Sequence, residues 1–328
     1  RRRRRQRTRA APADSPGSRR GPGRLRRALG SRPVVKQRLA ALRLAIRFYV
    51  VRSVALDIAT LRMRHWPMTS RLRFLLSKAP ALVRLAAGGR ATLVVGRRRV
   101  MVHSLADVGT VQASLADVHD DLLGHVSFDT AHPVVVDVGA NMGQFTTAIK
   151  AFWPSASVLA FEPDPVVHAR LADTARRLGG VDTVAIALGS EPATLPLHRH
   201  ALSAMSTLRP GLIETYDASD TVLVPVARLD DVTADLPAVQ LLKVDVEGFE
   251  VEVLKGAPNL LRRTSLLLVE VSLGRADTST EPEVLSLVQA IRPEARVVRR
   301  GRPIGGSHDP ICQDVLVDLT GRLSTKDC

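Results

Sequence analysis

The stretch Val134-Val135-Val136-Asp137-Val138-Gly139-Ala140-Asn141-Met142-Gly143-Gln144-Phe145 decides the fold. Four of its first five residues are valine, the composition of a strand buried on both faces of a parallel sheet. The strand runs straight into small residues and then into a helical pattern from Phe145 to Phe152. A strand, a tight glycine turn and a helix start make a nucleotide-type site: glycine lets the backbone approach a ligand, and helix N–H groups point at it. A second strand follows at Ser157 to Phe161 and ends in Glu162. An acidic side chain there suits the ribose hydroxyls of an adenosine ligand.

The glycine spacing narrows the ligand. The dinucleotide fingerprint is G-x-G-x-x-G, whereas this turn keeps Gly139 and Gly143 and puts Asn141 at the middle position. A pyrophosphate pressed against the turn is disfavoured. A ligand without one, such as S-adenosyl-L-methionine, fits better. The competing reading is a βα turn that binds nothing.

Outward from this stretch, charge divides the chain. The formal charge of +15 is carried unevenly: residues 1–100 hold 28 Lys and Arg against two acids, Asp14 and Asp57. The other 228 residues hold 19 basic and 30 acidic side chains, so the part with the glycine turn is acidic. Two cysteines, Cys312 and Cys328, argue against a disulfide framework and against a cysteine metal site. The expected setting is a reducing cytoplasm, with peripheral attachment at the inner membrane face as a further expectation.

Residues 1–33 are rich in Arg, Pro, Gly and Ser and nearly devoid of apolar side chains, which predicts a disordered basic arm. Residues 34–89 predict a basic helical N-terminal segment. Its most apolar run, Leu44 to Val51, is interrupted by Arg47 and flanked by Arg52 and Asp57, short of the ~18–20 clean residues a membrane span needs. Arg38, Arg43, Arg47, Arg52 and Arg62 spread around the helix and give it no basic face. An anionic membrane surface remains a partner to expect for residues 1–64, on charge alone.

The main domain is expected over residues 90–328. Ala91 to Val102 reads as one or two strands around Gly96, and Leu105 to Leu123 as a helix. After Val134–Val138 come a helix ending before Pro154, the strand Ser157–Phe161, and a helix Pro165–Leu178 closed by Gly179-Gly180. Further strands are expected at Thr183–Ala187, Gln240–Val246, Leu266–Val271, Arg296–Val298 and Asp314–Leu319, with a helix at Glu281–Ile291. Alternating β and α with apolar strands predicts an α/β doubly wound sheet. Glu191 to Leu236 reads as a long irregular piece, with His198-Arg199-His200 and Ser203 to Thr207, capping the ligand crevice.

A second dense motif is Leu241-Leu242-Lys243-Val244-Asp245-Val246-Glu247-Gly248-Phe249-Glu250. An apolar strand ends in Asp245 and Glu247, and a helix follows. Side chains at carboxyl ends of parallel strands face the ligand crevice, and Asp137, Glu162, Asp245 and Glu270 all stand at or near such ends.

Together, Val135 to Gly143, Ala160-Phe161-Glu162-Pro163-Asp164-Pro165, Ala187-Leu188-Gly189, Arg228-Leu229-Asp230-Asp231 and Leu242 to Ala257 resemble the FkbM family. The match runs in order over about residues 95–320 and leaves the first ninety uncovered. The resemblance implies a class I (Rossmann-like) fold, mostly parallel with an antiparallel last strand. It also implies transfer of a methyl group from S-adenosyl-L-methionine to a hydroxyl of a sugar, glycolipid or secondary metabolite. It assigns Asp137, Gly139, Asn141 and Gly143 to the methionine end of the cofactor site, Glu162 to the ribose, and Asp245 and Glu247 to the crevice where cofactor meets acceptor. Family members usually carry Asn in the helix after Glu-Pro; Thr174 stands near that place, a difference of helix packing.

Such a reaction draws mainly on positioning, worth ~7–11 kcal/mol in favourable cases. Removal of the acceptor proton adds about 10²–10⁴-fold. Asp245, Glu247, His198 and His200 are the candidates for that base, a carboxylate–His pair being favoured, and no metal is expected. The acceptor is a small molecule or a lipid-linked glycan. Two other readings compete: a nicotinamide oxidoreductase, disfavoured by the missing glycine, and a nucleic-acid binder led by the arm. The arm has no aromatic residue before Phe48 to stack on bases, and the domain has the wrong sign for a phosphate track, so no specific nucleic acid is expected.

Overall fold

Val and Leu at successive positions give the central strands two apolar faces, and the sheet uses both. The computed structural model describes residues 53–63, 66–116, 122–124, 126–200, 205–209, 220–273, 278–306 and 309–323. All of them fall within the compact unit Val51–Cys328. The expected disordered arm, and the helical expectation up to residue 52, lie outside the described residues.

Residues 53–62 are helical. Then come α1 (Met68–Ala86), β1 (Ala91–Val95), β2 (Arg98–Val102), α2 (Leu105–Ala116), β3 (Val134–Val138), α3 (Gln144–Phe152), β4 (Ser157–Phe161) and α4 (Pro165–Leu178). The chain continues through β5 (Val181–Val184), β6 (Ala187–Leu188), β7 (Ala193–Arg199), β8 (Asp220–Ala227), α5 (Leu229–Val232) and β9 (Val239–Val244). It ends with α6 (Glu250–Lys255), α7 (Pro258–Arg262), β10 (Thr264–Ser272), α8 (Glu281–Ile291), β11 (Arg296–Arg300), β12 (Ile304–Gly306) and β13 (Asp309–Asp318).

The main sheet has the order β11-β13-β10-β9-β3-β4-β5, with β12 on β13. Pairing is parallel from β10 to β5, and β13 runs antiparallel to β10 and β11. This is the mostly parallel sheet with an antiparallel last strand that the sequence implies. From β3 the chain builds outward through β4 and β5, then returns to β9 on the other side. The switch point between β3 and β9 is where ligands of such sheets bind.

Alternate side chains feed two cores, as a strand's period of two requires. Val135, Leu241, Leu266, Leu268 and Leu316 point to the face packed by α1–α4. Val136, Leu242, Leu267, Val269, Val315 and Val317 point to the face packed by α6–α8. Met63, Trp66 and Phe74 share the first core with Val135 and Leu241, so the expected boundary at residue 90 falls inside this unit.

Two expectations are corrected. Thr183–Ala187 is not one strand: β5 ends at Val184, and β6 joins a separate three-stranded sheet, β6-β8-β7. Glu191 to Leu236 is not irregular throughout, since it supplies β7, β8 and α5. Pro196 and Pro225 disguise those strands, because proline ordinarily argues against a paired strand. Here Pro225 lies outside the short stretch Val226–Ala227 that pairs with β6. Val224, Val226, Leu197 and Ala187 give this small sheet its own core. No described helix is long and apolar enough to cross a membrane.

Candidate active site

The turn after β3 is built from backbone conformations that its residues alone permit. Gly139 has φ +77°. Its N–H and that of Ala140 both donate to the Phe161 carbonyl, at 3.1 and 2.9 Å, which fastens the turn to β4. Asn141 also lies in the left-handed region, at φ +49°. Asn tolerates that region better than most residues, and its Oδ1 accepts from the Met142 N–H at 2.7 Å. The middle fingerprint glycine is thereby replaced by a residue able to hold the turn. Gly143, at φ +86°, opens α3. A Cβ there would stand 3.1 Å from Leu171 and 3.2 Å from Thr174, so Thr174 is indeed a packing neighbour of the turn.

Glu162 stands directly beyond β4, 8% exposed. Its Oε2 accepts from the Asn141 N–H at 3.0 Å, and its Oε1 from the Asp164 N–H at 2.9 Å. Burial pushes its pKa up to about 7; the two backbone donors oppose the rise, and the charges of Asp164 and Asp137 add to it. Asp164 caps α4 through the N–H groups of Val166 and Val167. It also receives Arg199 of β7 at 2.6 and 3.0 Å, which ties the small sheet to the Glu162 corner.

Asp137 is placed differently from the implied role. It is fully buried, with no side-chain surface open to the crevice. Its Oδ2 accepts from Thr146 Oγ1 at 2.6 Å, which anchors α3. Its Oδ1 has no hydrogen bond among the described residues and lies 3.5 Å from Lys243 Nζ. Lys243 reaches from Asp137 to Asp245, 3.1 Å away on its other side. Burial pulls the Lys243 pKa down, but the carboxylates of Asp245 and Asp137 outweigh it and hold the ammonium above its usual range. The buried cation offsets the buried carboxylate.

Beyond β9 the chain turns through Glu247, at φ +54°, and Gly248, at φ +97°. Buried Glu250 braces this turn: its Oε1 accepts from the N–H groups of Val246 at 3.1 Å and Gly248 at 2.9 Å. Thr207 Oγ1 donates to the Glu247 carbonyl at 2.7 Å, and Arg209 Nε to that of Gly248 at 2.9 Å. One carboxylate oxygen each from Asp245, Glu247 and Glu270 lies within 4.8 Å of the others. Burial, then the charges of Asp245 and Glu247, push the Glu270 pKa well above the usual carboxyl range. Three oxygens so placed could share a proton or a divalent cation.

The structure thus brings Gly139, Asn141, Gly143 and Glu162 to one corner and Asp245 and Glu247 to the neighbouring one, across the switch point. His198 pairs with Thr221 across β7 and β8, its Nδ1 3.2 Å from Thr221 Oγ1. His200 lies just past β7, its N–H donating to Ser206 Oγ at 3.2 Å, outside the carboxylate group. The segment that carries Ser206 is the one fastened to the Glu247 turn by Thr207. Lys243 and Glu250 were missed as site residues. An ionisable side chain inside an otherwise apolar strand was the available signal for Lys243.

The family profile described as "Methyltransferase FkbM domain" matches residues 137–293. Over 157 residues the chain is 35% identical to methyltransferase sdnD of Sordaria araneosa, covering 38% of this chain and 61% of the relative. It is 36% identical over 152 residues to 31-O-demethyl-FK506 methyltransferase FkbM of Streptomyces tacrolimicus, covering 38% and 58%. It is 30% identical over 147 residues to hexuronic acid methyltransferase AglP of Haloferax volcanii, covering 43% and 56%. The chain spans about three fifths of the length of these curated relatives. The β3 turn, the Glu162 corner and the β9 carboxylates all fall inside the matched residues, so residues 137–293 carry the resemblance to the FkbM methyltransferase domain.

Proposed function

We propose that this chain transfers a methyl group from S-adenosyl-L-methionine to a hydroxyl of a sugar, glycolipid or secondary-metabolite acceptor. The observation that carries the reading is the pair of corners at the β3–β9 switch point: a glycine turn with a ribose-competent carboxylate on one side, converging carboxylates on the other. Each Glu162 oxygen accepts one backbone N–H and keeps a lone pair for a further donor. That is what two vicinal ribose hydroxyls require, so the residues fit the cofactor. Gly139, Asn141 and Gly143 would shape the turn beside its methionine end.

When bound, S-adenosyl-L-methionine supplies an electrophilic methyl group. The residues of this chain position the acceptor and take its proton. Asp245, 32% exposed and oriented by Lys243, and Glu247 are the carboxylates that would receive the proton as the hydroxyl oxygen forms its new bond. Glu270, whose pKa is raised, carries its own proton more readily and would donate a hydrogen bond within the group. His200 is kept as a second candidate base, delivered by the segment that Thr207 ties to Glu247. Two of the relatives, a hexuronic acid methyltransferase and a 31-O-demethyl-FK506 methyltransferase, support a hydroxyl-bearing acceptor. A cytoplasmic setting, on the side where S-adenosyl-L-methionine is made, belongs to the same proposal.

The test is incubation of the full chain with methyl-labelled S-adenosyl-L-methionine and a panel of uronic acids, glycosides, lipid-linked glycans and polyketide alcohols. A methyl ether located by mass spectrometry supports the reading. Exclusive N- or C-methylation by the same protein overturns it.

A further inference from the structure

The helices that precede β1 leave an apolar surface outside the fold. On α1, Phe74, Ala81 and Leu85 face the core, while Met68, Leu72, Leu76 and Val83 are exposed, Leu76 by 75% and Val83 by 71%. At 3.6 residues per turn these four fall within about 80° of arc, so they form one stripe along the helix. Residues 53–62 repeat the pattern with Val54, Ile58 and Leu61, all exposed. Arg71 donates to the carbonyls of Leu61 at 2.7 Å and Trp66 at 2.6 Å, and Lys78 meets Asp57 at 2.5 Å. Those contacts fasten the two helices antiparallel as one hairpin, and both stripes are exposed on it. Of the eleven large apolar side chains exposed among the described residues, seven are here. Concentration of this kind marks an interaction surface rather than scattered apolar residues.

Charge decides the partner. Residues 53–100 hold ten Lys and Arg against one acid, Asp57, and that acid is engaged by Lys78. Exposed Arg73 and Arg84 lie on α1 within the next ~80° beyond the stripe. A second copy of the chain would bring like charges together on this face. An anionic lipid surface instead takes the apolar stripe at the headgroup boundary and the arginines at its phosphates.

We propose that the exposed apolar surface of this hairpin docks the chain onto an anionic bilayer, with Leu72, Leu76 and Val83 as the apolar anchor. This surface is separate from the switch-point crevice and does not depend on the methyl-transfer reading. The test is flotation of the full chain with phosphatidylglycerol-containing vesicles and with pure phosphatidylcholine vesicles, at low and high salt. The comparison is Leu72→Gln/Leu76→Gln/Val83→Gln, which leaves every charge in place. The wild type should float with the anionic vesicles and keep part of its binding at high salt, where charge attraction is screened. The triple variant, melting within a few degrees of wild type, should bind at least about tenfold less and lose the salt-resistant part. Equal flotation of both proteins overturns the proposal, as does failure of the wild type to float. A dimer that the triple substitution dissolves also overturns it, in favour of self-association. Vesicle partition is read without catalysis, so it fails independently of the proposed activity.

Discussion

The Cβ that Gly139 lacks would lie 1.8 Å from the carbonyl oxygen of Asp245. The two residues stand at the ends of adjacent parallel strands, and the Asp245 N–H donates to the Val138 carbonyl at 3.1 Å. Close approach of these two backbones keeps the β3 turn and the β9 carboxylates side by side. The cofactor corner and the acceptor corner are thus coupled through one missing methyl group.

Gly139→Ala should therefore destabilise the fold by about 2–4 kcal/mol, combining a left-handed residue with a backbone collision. Gly88→Ala, at φ +77° with nothing within 4 Å of the added carbon, isolates the conformational part and should cost about 1–2 kcal/mol. Chemical denaturation of both variants reads the difference. Equal losses would show that the Asp245 backbone yields freely.

Lys243 is the next expected weak point. Lys243→Met leaves Asp137 buried without its cation and should cost about 3–5 kcal/mol, the usual consequence of orphaning one partner of a buried pair. Asp137→Asn in the same chain should recover a large part of that loss, a coupling that a double-mutant cycle measures directly. Additive losses would mean the two side chains act independently.

The raised pKa of Glu162 gives cofactor binding a pH dependence. Ribose hydroxyls donate to the ionised carboxylate, so a group titrating at about 7 must lose its proton to bind. Affinity for S-adenosylhomocysteine should fall about tenfold from pH 8 to pH 6, one pKa unit below the midpoint. Glu162→Gln should flatten that profile. For the unliganded fold the sign is opposite to that of a salt-bridged acid. The folded pKa lies above the unfolded value, so this contribution to stability is present below about pH 4.5 and is lost as pH rises through about 7. Glu250 and Glu270, also raised, act in the same direction.

Asp230 is expected to matter for the fold and not for binding. Its carboxylate accepts from the N–H groups of Asn259 at 3.0 Å and Leu260 at 2.8 Å, capping α7 from another element because Ala257 at the helix start has no polar side chain. Asp230→Ala should lower stability by about 1–2 kcal/mol. Its affinity for S-adenosylhomocysteine, measured well below the melting temperature, should be unchanged; a loss there would make Asp230 part of the site.

The fold was legible where one signal dominated. Valine runs fixed β3, and the Gly-Gly after Leu178 fixed the end of α4. Glu162 and Asp245 could be placed at strand ends because a parallel sheet puts such residues at its crevice. What stayed hidden depended on partners distant in sequence. The small sheet was masked by Pro196 and Pro225: Pro196 is tolerated because β7 is an edge strand, and Pro225 because it lies outside the stretch that pairs with β6. Asp137 resembled a crevice acid, yet it points inward to Thr146 and Lys243, a choice made by packing rather than by position in the motif. The exposed stripe on α1 was invisible because an apolar helix face reads the same whether or not something covers it.

The most direct measurement is calorimetric titration of S-adenosylhomocysteine into the full chain at pH 8, beside Glu162→Gln. The predicted result is saturable binding at one site per chain, weakened about tenfold or more by loss of the charged acceptor in a variant that still melts cooperatively. A folded wild-type chain that takes up no S-adenosylhomocysteine, or a Glu162→Gln chain that binds it equally well, would contradict the assignment of this crevice to the cofactor.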